Sequence, residues 1–242
     1  MESDSSHTRA FKRVLIKLSG EALMGPTDYG IHTPTVQAIC QEIVDVKSLK
    51  TEIGLVVGGG NVFRGIHASE RGMDRVTADN IGMMATVMNA LALMDALEQM
   101  GVYTRVMSAV RIEAFAEPYI RRRAIRHMEK GRLVVFAGGT GNPFFSTDTA
   151  ASLRAMEVNA DLMVKATNVD GVYSADPKKD PDAEFYPELT FMDILTRELR
   201  VIDSTAVSLL KDNDIPLRVI DIHARGNLRR VVQGEDVGTL IS

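Results

Sequence analysis

Short apolar runs alternate with segments of helical periodicity along most of this 242-residue chain. The runs at 13–18, 53–57 and 133–137 have the length and composition of buried strands. The segments between them space apolar residues three and four positions apart, as in Val36, Ile39 and Ile43. This alternation favours a mostly parallel sheet with helices on both faces. We therefore predict an α/β fold, a three-layer α/β/α sandwich.

The remaining elements follow from the same patterns. Further strands are expected at 103–107, 161–165, 217–222 and 239–241, and helices at 34–46, 79–100, 117–130, from 147, 192–199, 205–212 and 227–233. The polar residues 1–10 are predicted to be disordered. Because no linker or repeat divides the rest, residues 11–242 are predicted to form one domain with two lobes, at about 11–160 and 161–242.

A glycine triplet ends the apolar run at 53–57. Gly58, Gly59 and Gly60 carry no side chains to keep a ligand away from three adjacent backbone amides, which would suit an anion. Glycine after a strand also simply makes turns, so the triplet alone is a weak signal. Arg64 strengthens it, because a guanidinium has forked donors that match phosphate oxygens.

Three other strand ends carry groups suited to phosphate. Lys17 precedes Ser19-Gly20, a glycine-rich loop covers 138–147, and Lys165 is followed by Thr167. Ligands of open α/β sheets bind beyond the carboxyl ends of the strands. Two glycine loops and two lysines exceed the needs of one mononucleotide, so we predict a site where two phosphorylated ligands meet.

Composition excludes several classes of protein. The net charge is −4, which argues against nucleic acid as the main partner. The single cysteine, Cys40, excludes an internal disulfide, lies on the apolar face of a predicted helix, and fits a reducing cytoplasm. No secretory signal is visible, and the apolar stretch 83–94 is shorter than the roughly 18 residues of a membrane span.

Common nucleotide motifs are missing from the glycine loops. No candidate loop has the lysine of a Walker A sequence, and Phe63 and Phe144 replace the last glycine of a dinucleotide-binding fingerprint. No histidine, cysteine and aspartate group has zinc spacing.

Five stretches together resemble the bacterial UMP kinases of the amino acid kinase family, which make UDP from UMP and ATP. They are K-L-S-G-E-A-L at 17–23, G-G-G-N-V-F-R-G at 58–65, R-V-T-A-D at 75–79, T-G-N-P-F-F-S-T-D at 140–148 and A-T-N-V-D-G-V-Y-S-A-D-P at 166–177. The first and last are shared more loosely with kinases of acetylglutamate, carbamate and aspartate. The resemblance runs from about residue 12 to 241.

The resemblance implies a UMP-binding lobe at about 11–160 and an ATP-binding lobe at about 161–242. The implied ATP contacts are Lys17, Leu18, Ser19, Gly20, Gly60, Arg64, Thr167, Asn168, Tyr173 and Asp176. The implied UMP contacts are Gly59, Asp79, Thr140, Gly141, Asn142, Pro143, Phe144, Phe145, Ser146 and Thr147. Asn168 departs from the lysine of some relatives, and Asp79 has an alternative role as a cap of the long helix.

The reaction itself needs no general base, since the acceptor phosphate is largely dianionic at pH 7, its second pKa being about 6. Lys17 and Lys165 are expected to neutralise the transferred group, with Mg²⁺ carried mainly by the ATP phosphates. Asp148, Asp161 and Asp203 are expected to orient a lysine, cap a helix or reach magnesium through water rather than take a proton, although each could also be an ordinary helix-start or strand-end acid.

The family typically forms homohexamers that GTP activates and UTP inhibits. The methionine-rich stretch at 83–94 fits a subunit interface as well as a core. The basic run from Arg121 to Lys130 fits a solvated face, or a polyphosphate effector site. Two rival functions stay open, a sibling kinase acting on a carboxylate or carbamate and a nucleotide sensor without catalysis; a minor DNA-binding role is also open.

Overall fold

The computed structural model describes residues 11–64, 70, 72–177, 179–199 and 201–242. The predictions for residues 1–10 and for part of the loop after Arg64 lie outside this range. The described strands are β1 (Arg13–Leu18), β2 (Glu52–Val57), β3 (Thr104–Ser108), β4 (Glu117–Pro118), β5 (Leu133–Ala137), β6 (Leu162–Thr167), β7 (Val172–Tyr173), β8 (Phe185–Tyr186), β9 (Glu188–Leu189), β10 (Leu217–Asp221) and β11 (Thr239–Ile241). The described helices are α1 (Thr33–Lys47), α2 (Arg75–Gln99), α3 (Arg121–Glu129), α4 (Thr147–Val158), α5 (Phe191–Thr196), α6 (Ser204–Asp212) and α7 (Asn227–Val232), with a 3₁₀ turn at Gly20–Leu23.

Nine strands form one sheet in the order β4-β3-β5-β2-β1-β6-β10-β11-β9. Every neighbouring pair is parallel except β10 and β11, which confirms the mostly parallel sheet. The order reverses at β1, because β2 pairs with one of its edges and β6 with the other. Such a switch point opens a crevice at the carboxyl ends of the strands.

Two separate apolar cores cover the two faces of the sheet. Val14, Ile16 and Leu18 point into the core that contains the buried residues of α1, α2 and α7, whereas Leu15 points into the core beneath α3, α4 and α6. The alternation along β1 follows from the two-residue period of a strand. It places Lys17 on the same face as Leu15, toward α4, and confirms the three-layer sandwich.

Helix α2 carries apolar residues around much of its circumference. By length and composition it would pass as a membrane span, but Ala90, Leu93 and Leu97 pack in the core, as in the central helix of a soluble protein. Ile81, Met84 and Met88 are exposed on another side. Cys40 is fully buried among the core residues, as predicted.

Most differences from the predicted elements concern their ends and the shortest strands. The helix expected at 117–130 begins at Arg121, because Glu117–Pro118 forms a short edge strand beside β3. The pairs β7 with β8 and β9 with β11 were not predicted. Two- and three-residue strands carry too little periodicity to be read from sequence.

Gly20 lies where the loops after β1 and β2 touch. A Cβ atom at Gly20 would stand 2.6 Å from Asn61 Oδ1, 2.7 Å from the Gly60 nitrogen and 2.8 Å from the Gly58 oxygen. These distances are shorter than any real Cβ contact, so glycine is required for the two loops to meet.

We expect Gly20→Ala to lower the free energy of unfolding by about 1–3 kcal/mol, because the added methyl must push two backbone loops apart. Gly60→Ala is the matched control, since its Cβ would meet nothing closer than Glu21 Cγ at 3.9 Å. Urea unfolding of both variants checks this. Equal losses of stability would contradict the close-approach argument.

Candidate active site

Two lysines stand side by side at the centre of the sheet. Lys17 of β1 and Lys165 of β6 are direct cross-strand partners in the parallel register. Their side chains are only 10% and 14% exposed. Like charges directly opposite one another destabilise a sheet, so this pair requires an anion between them.

Asp148, in the first turn of α4, supplies that anion. Its Oδ2 accepts a hydrogen bond from Lys165 Nζ at 2.7 Å, and its Oδ1 lies 2.8 Å from Lys17 Nζ. The second contact is an ion pair without hydrogen-bond alignment, so Oδ1 is buried with no hydrogen-bond partner. One buried carboxylate therefore bridges both ammonium groups.

Burial alone would raise the pKa of the Asp148 carboxyl, but the charges of Lys17 and Lys165 outweigh it and hold this pKa below its usual range. Burial lowers the pKa of the Lys165 ammonium more than Asp148 raises it, and Lys17 adds repulsion. The aspartate is thus firmly ionised, while Lys165 gives up its proton more easily than an exposed lysine.

Asp203 joins the starts of two helices beside this triad. It is the N-cap of α6, where it accepts from the Ala206 amide at 3.0 Å. It also accepts from the hydroxyls of Ser146 and Thr149 at the start of α4. Its negative charge also acts to raise the pKa of the Lys165 ammonium, but its hydrogen bonds show the helix-start role, and the lysine-orienting role stays a prediction.

A cavity of about 600 Å³ lies at the start of α4, where Thr147 and Thr149, on either side of Asp148 in the chain, line it. The start of α4 faces it, and free amides at a helix start favour anions. Its walls come from the glycine loop after β2, from α2, from the loop after β5 and from the start of α6. Among the lining residues are Glu21, Gly59, Gly60, Phe63, Arg64, Arg75, Asp79, Met83, Thr86, Thr140, Asn142, Phe144, Phe145, Ser146, Thr147 and Asp203.

The three glycines after β2 have different roles. The Gly58 amide donates to the Leu18 oxygen at 3.0 Å, so it is not available to a ligand. A Cβ at Gly59 would collide with Ala85 and Gly82 of α2 at 2.8 Å, whereas Gly60 borders open space. Within the described chain only the Gly59 and Gly60 amides of this triplet have no acceptor. The prediction of three anion-binding amides is therefore corrected to two.

Gly60 and Arg64 line this first cavity and not the second one described below. They lie beside Gly59 and Asp79, which were predicted for UMP, and their own assignment to ATP phosphates stays a prediction. Arg64 Nη2 pairs with Glu21 Oε1 at 2.8 Å, and both side chains are about half exposed. Nothing in the sequence indicated which of two neighbouring ligands the arginine would meet.

Asp79 lies in the second turn of α2 and links that helix to the loop after β5. Its Oδ2 accepts from Arg75 Nε and from the Phe144 amide, both at 2.8 Å. The alternative role as helix cap is wrong, because Asp74 is the N-cap and accepts from the Thr77 amide. Asp79 Oδ1 faces only Arg75, which leaves it acceptor capacity for a ligand.

The loop after β5 bends sharply over the first cavity. Gly141 and Phe144 both have positive φ, of 83° and 71°, and a left-handed non-glycine residue costs roughly 1–2 kcal/mol. The bond from the Phe144 amide to Asp79 holds that conformation. Phe144 and Phe145 stay more than half exposed, and Gly141 and Pro143 shape the loop without lining the cavity.

A second cavity of about 550 Å³ lies on the other side of Lys165. Thr167, Tyr173 and Asp176, three of the residues predicted to contact ATP, line it together. Tyr173 is packed edge-on against Phe185, and its hydroxyl donates to Asp170 at 2.8 Å. Asn168 is not in the wall; its Oδ1 lies 3.1 Å from His223 Nε2. Lining residues that the sequence did not single out are Val169, Ala175, Arg197, Glu198, Leu199, Val201 and Val219.

A model of the amino acid kinase family matches residues 12–221. The chain belongs to the amino acid kinase family. Three solved structures are similar along nearly the whole chain. The UMP kinase from Bacillus anthracis is 42% identical, covers 97% of this chain and 97% of its own, and has a TM-score of 0.93. The UMP kinase from Ureaplasma parvum is 36% identical, covers 96% of this chain and 98% of its own, and has a TM-score of 0.89. The uridylate kinase from Archaeoglobus fulgidus is 31% identical, covers 95% of this chain and 99% of its own, and has a TM-score of 0.74.

These comparisons confirm the resemblance inferred from the five sequence stretches. In this amino acid kinase the first stretch serves mainly to support the site. Leu18 is fully buried in the core on the opposite face from Lys17, and its carbonyl holds Gly58. Ser19 caps the 3₁₀ turn by accepting from the Ala22 amide. Of this stretch, Lys17 is therefore the residue whose side chain forms part of the triad with Asp148 and Lys165.

Asp161 is not part of the site. It precedes β6, and its Oδ2 accepts from the backbone amides of Lys12 and Arg13 at 2.9 and 2.8 Å, at the amino end of β1. The lysines stand toward the carboxyl ends of the same strands. The expectation that Asp161 orients a lysine is thus contradicted, and its observed role is to hold the starts of two strands together.

The acidic groups present fit a magnesium ion carried by a nucleotide rather than by a protein cage. Among the described residues no group of three histidine, cysteine, aspartate or glutamate side chains could hold a metal. Both oxygens of Asp148 face lysines, and Asp203 is occupied by hydroxyls and an amide. That phosphate oxygens of ATP would be the main magnesium ligands stays a prediction.

We expect the Lys165 ammonium of the nucleotide-free protein to titrate below the ordinary lysine pKa of about 10.4, because burial disfavours its charge. At pH values between the lowered pKa of Lys165 in the folded protein and its ordinary pKa in the unfolded chain, the unfolded chain binds more protons. The contribution of Lys165 to the free energy of unfolding therefore rises with pH in this window.

A ¹³C-lysine NMR titration measures this pKa directly, with Lys165→Arg identifying the signal by its loss. A titration at or above 10.4 would contradict the burial argument.

Proposed function

We propose that this protein transfers a phosphoryl group from ATP to UMP, giving UDP and ADP, in pyrimidine nucleotide synthesis. The observation that carries the proposal is a buried Lys17–Asp148–Lys165 triad at the switch point of the sheet with two nucleotide-sized cavities next to it, one lined by Thr147 and Thr149 on either side of Asp148 in the chain and the other lined by Lys165. The three similar structures, all named as UMP or uridylate kinases, support the choice of acceptor.

The first cavity would bind UMP. The free amides of Gly59 and Gly60, the Arg64 guanidinium and the start of α4 together offer donors and positive charge to a phosphate. Asp79 Oδ1, which can accept a second hydrogen bond beside the one from Arg75, would accept a ribose hydroxyl. The loop of Thr140, Gly141, Asn142, Pro143, Phe144, Phe145, Ser146 and Thr147 would then enclose the base.

The second cavity would bind the adenosine part of ATP. Tyr173 offers a ring face, while Thr167 and Asp176 offer polar groups near the wall. From there the triphosphate would extend past Lys165 toward Lys17. Ser19 and Gly20 would support this path through the backbone, and Asn168 would act from the rim, beside His223.

Catalysis in this arrangement is positioning plus charge stabilisation. The acceptor phosphate is already ionised, so none of the carboxylates has to remove a proton. When bound with ATP, Mg²⁺ supplies neutralisation of phosphate charge. Lys17 and Lys165 would hold the transferred phosphoryl oxygens, Asp148 would keep the two ammonium groups in place, and Asp203 would fix the helix starts around them.

The first rival function is phosphorylation of a carboxylate or carbamate. Such substrates lack a ribose and a base, and they would leave Asp79 and the loop at 140–147 without a role. A sensor without catalysis is the second rival. It would not need two buried lysines held by one aspartate. Burying these charges costs free energy, and that cost has a purpose where the lysines stabilise a transferred phosphoryl group.

Several expectations from the family remain predictions, namely the homohexamer, activation by GTP, inhibition by UTP and a cytoplasmic location. The exposed Ile81, Met84 and Met88 of α2 support an interface between subunits. The arginines of α3 support an effector site only by their charge.

An ADP-release assay with Mg-ATP and one acceptor at a time tests the proposal. The acceptors are UMP, CMP, dUMP, aspartate, acetylglutamate and carbamate. Turnover is expected with UMP and far less with the others. Turnover with a carboxylate would favour the sibling kinase, and no turnover with any of the six would favour the sensor.

We expect Lys17→Ala to lower kcat by about 10²–10³-fold and to raise the KM for UMP much less, because Lys17 acts on the charge of the transition state. Lys12→Ala is the matched control, since Lys12 is exposed at the other end of the same strand and should change neither constant. Steady-state kinetics separate the two constants. A raised KM with unchanged kcat would make Lys17 a binding residue only.

A further inference from the structure

An asparagine lies fully buried in the middle of α2. Asn89 is 0% exposed, although asparagine is a poor helix former and a buried amide is costly unless all its groups are paired. No ligand role has been assigned to Asn89, and it does not line either cavity. Its position therefore requires partners within the fold.

Asn89 forms a reciprocal pair with Asn61 of the glycine loop. Asn61 Nδ2 donates to Asn89 Oδ1 at 2.9 Å, and Asn89 Nδ2 donates to Asn61 Oδ1 at 2.6 Å. The second hydrogen of each amide is also used, because Asn89 donates to the Gly58 oxygen at 2.7 Å and Asn61 to the Gly30 oxygen at 2.9 Å. All four donors of the pair are satisfied in a dry environment, where such networks are rigid.

The pair fixes both ends of a two-residue segment. Gly58 is held through its carbonyl by Asn89 and through its amide by the Leu18 oxygen. Asn61 is held through its side chain and through its carbonyl, which accepts from the Gly30 amide at 2.7 Å. Between these fixed points lie Gly59 and Gly60, whose amides have no acceptor within the described chain.

We propose that Asn61 and Asn89 are positioning residues that aim the Gly59 and Gly60 amides at the acceptor phosphate. The proposal rests on the proposed function, because it takes the first cavity as the UMP site. Asn89 acts through Gly58 and does not touch the nucleotide. A glycine pair has the widest choice of backbone conformations, so its two donors converge on one anion only if the flanking residues are held.

Two substitutions to aspartate, at residues 89 and 61, add the same negative charge with little change of volume. They separate the effect of losing the hydrogen bond to the Gly58 oxygen from the effect of the added charge. In Asn89→Asp the bonds from residue 89 to the Gly58 oxygen and to Asn61 Oδ1 are lost, and a carboxylate faces that carbonyl, while Asn61 can still donate to residue 89. In Asn61→Asp the donation from Asn89 to Gly58 remains, while the donations from residue 61 to the Gly30 oxygen and to Asn89 Oδ1 are lost. The new charge of Asn61→Asp is nevertheless the nearer of the two to the phosphate-binding amides along the chain.

Calorimetric titration measures the Kd of UMP and, separately, of a non-hydrolysable ATP analogue for each variant. Asn89→Asp is expected to raise the UMP Kd at least about tenfold, as for the loss of aligned donors to a charged group. Asn61→Asp is expected to raise it several-fold less. The ATP analogue should bind with unchanged Kd in both, because the second cavity shares no wall residue with the pair.

Gln99→Glu is the control for an added negative charge on α2, since Gln99 is exposed, and it should change neither Kd. If Asn89→Asp does not fold, Asn89→Leu is used, because it fills the same buried position with a better helix former. The expected result is the same selective loss of UMP affinity.

A UMP Kd within twofold of wild type in Asn89→Asp would overturn the proposal, because the bond that holds Gly58 would then have no effect on UMP. Parallel losses of both ligands would also overturn it, because they would show a general structural defect. Failure of the wild-type protein to bind UMP would count against the proposed function and the positioning role together. Wild-type binding with unchanged variants would count against the positioning role alone.

Discussion

The structure depends on one carboxylate placed between two buried ammonium groups. Parallel pairing of β1 with β6 puts Lys17 beside Lys165, and this pairing is tolerable only with Asp148 between them. Removing one member of such a buried group leaves an uncompensated charge and costs about 3–5 kcal/mol. Helix α4 must therefore start where it does, and Asp203 secures that start by bonding its hydroxyls. The position of α4 beside the site is therefore set by the need for Asp148 to neutralise Lys17 and Lys165.

The sequence predicted the central strands well, because runs such as Arg13–Leu18 and Leu133–Ala137 are buried on both faces and have clear ends. It also indicated that Lys17, Lys165 and Asp148 belong together. The expectation for Asp161 was wrong, although Asp161 precedes β6 and so lies at the amino end of that strand, away from the lysines. The sequence could not indicate which cavity Arg64 lines, because that depends on the path of its loop.

The glycine triplet shows the same limit on a smaller scale. The three residues are identical, yet the Gly58 amide is bonded to Leu18, Gly59 packs against α2 so that a Cβ atom would collide there, and Gly60 has room for a Cβ atom. Composition indicated an anion-binding loop, and packing decides which amides remain available. The residues that fix those amides, Asn61 and Asn89, had no recognisable motif because their meaning arises from a contact between distant segments.

Strand β11 lies between β10 and β9, and Thr239 at its start accepts from the Val172 amide and donates to the Tyr186 oxygen. Segments that border the second cavity are thus held by residues made much later in synthesis. A nascent chain that has emerged only as far as β10 cannot close this wall. The second cavity should consequently take its final shape late in synthesis on the ribosome. A bulky fusion placed close after Ile241 would hinder the pairing of β11, which completes that cavity.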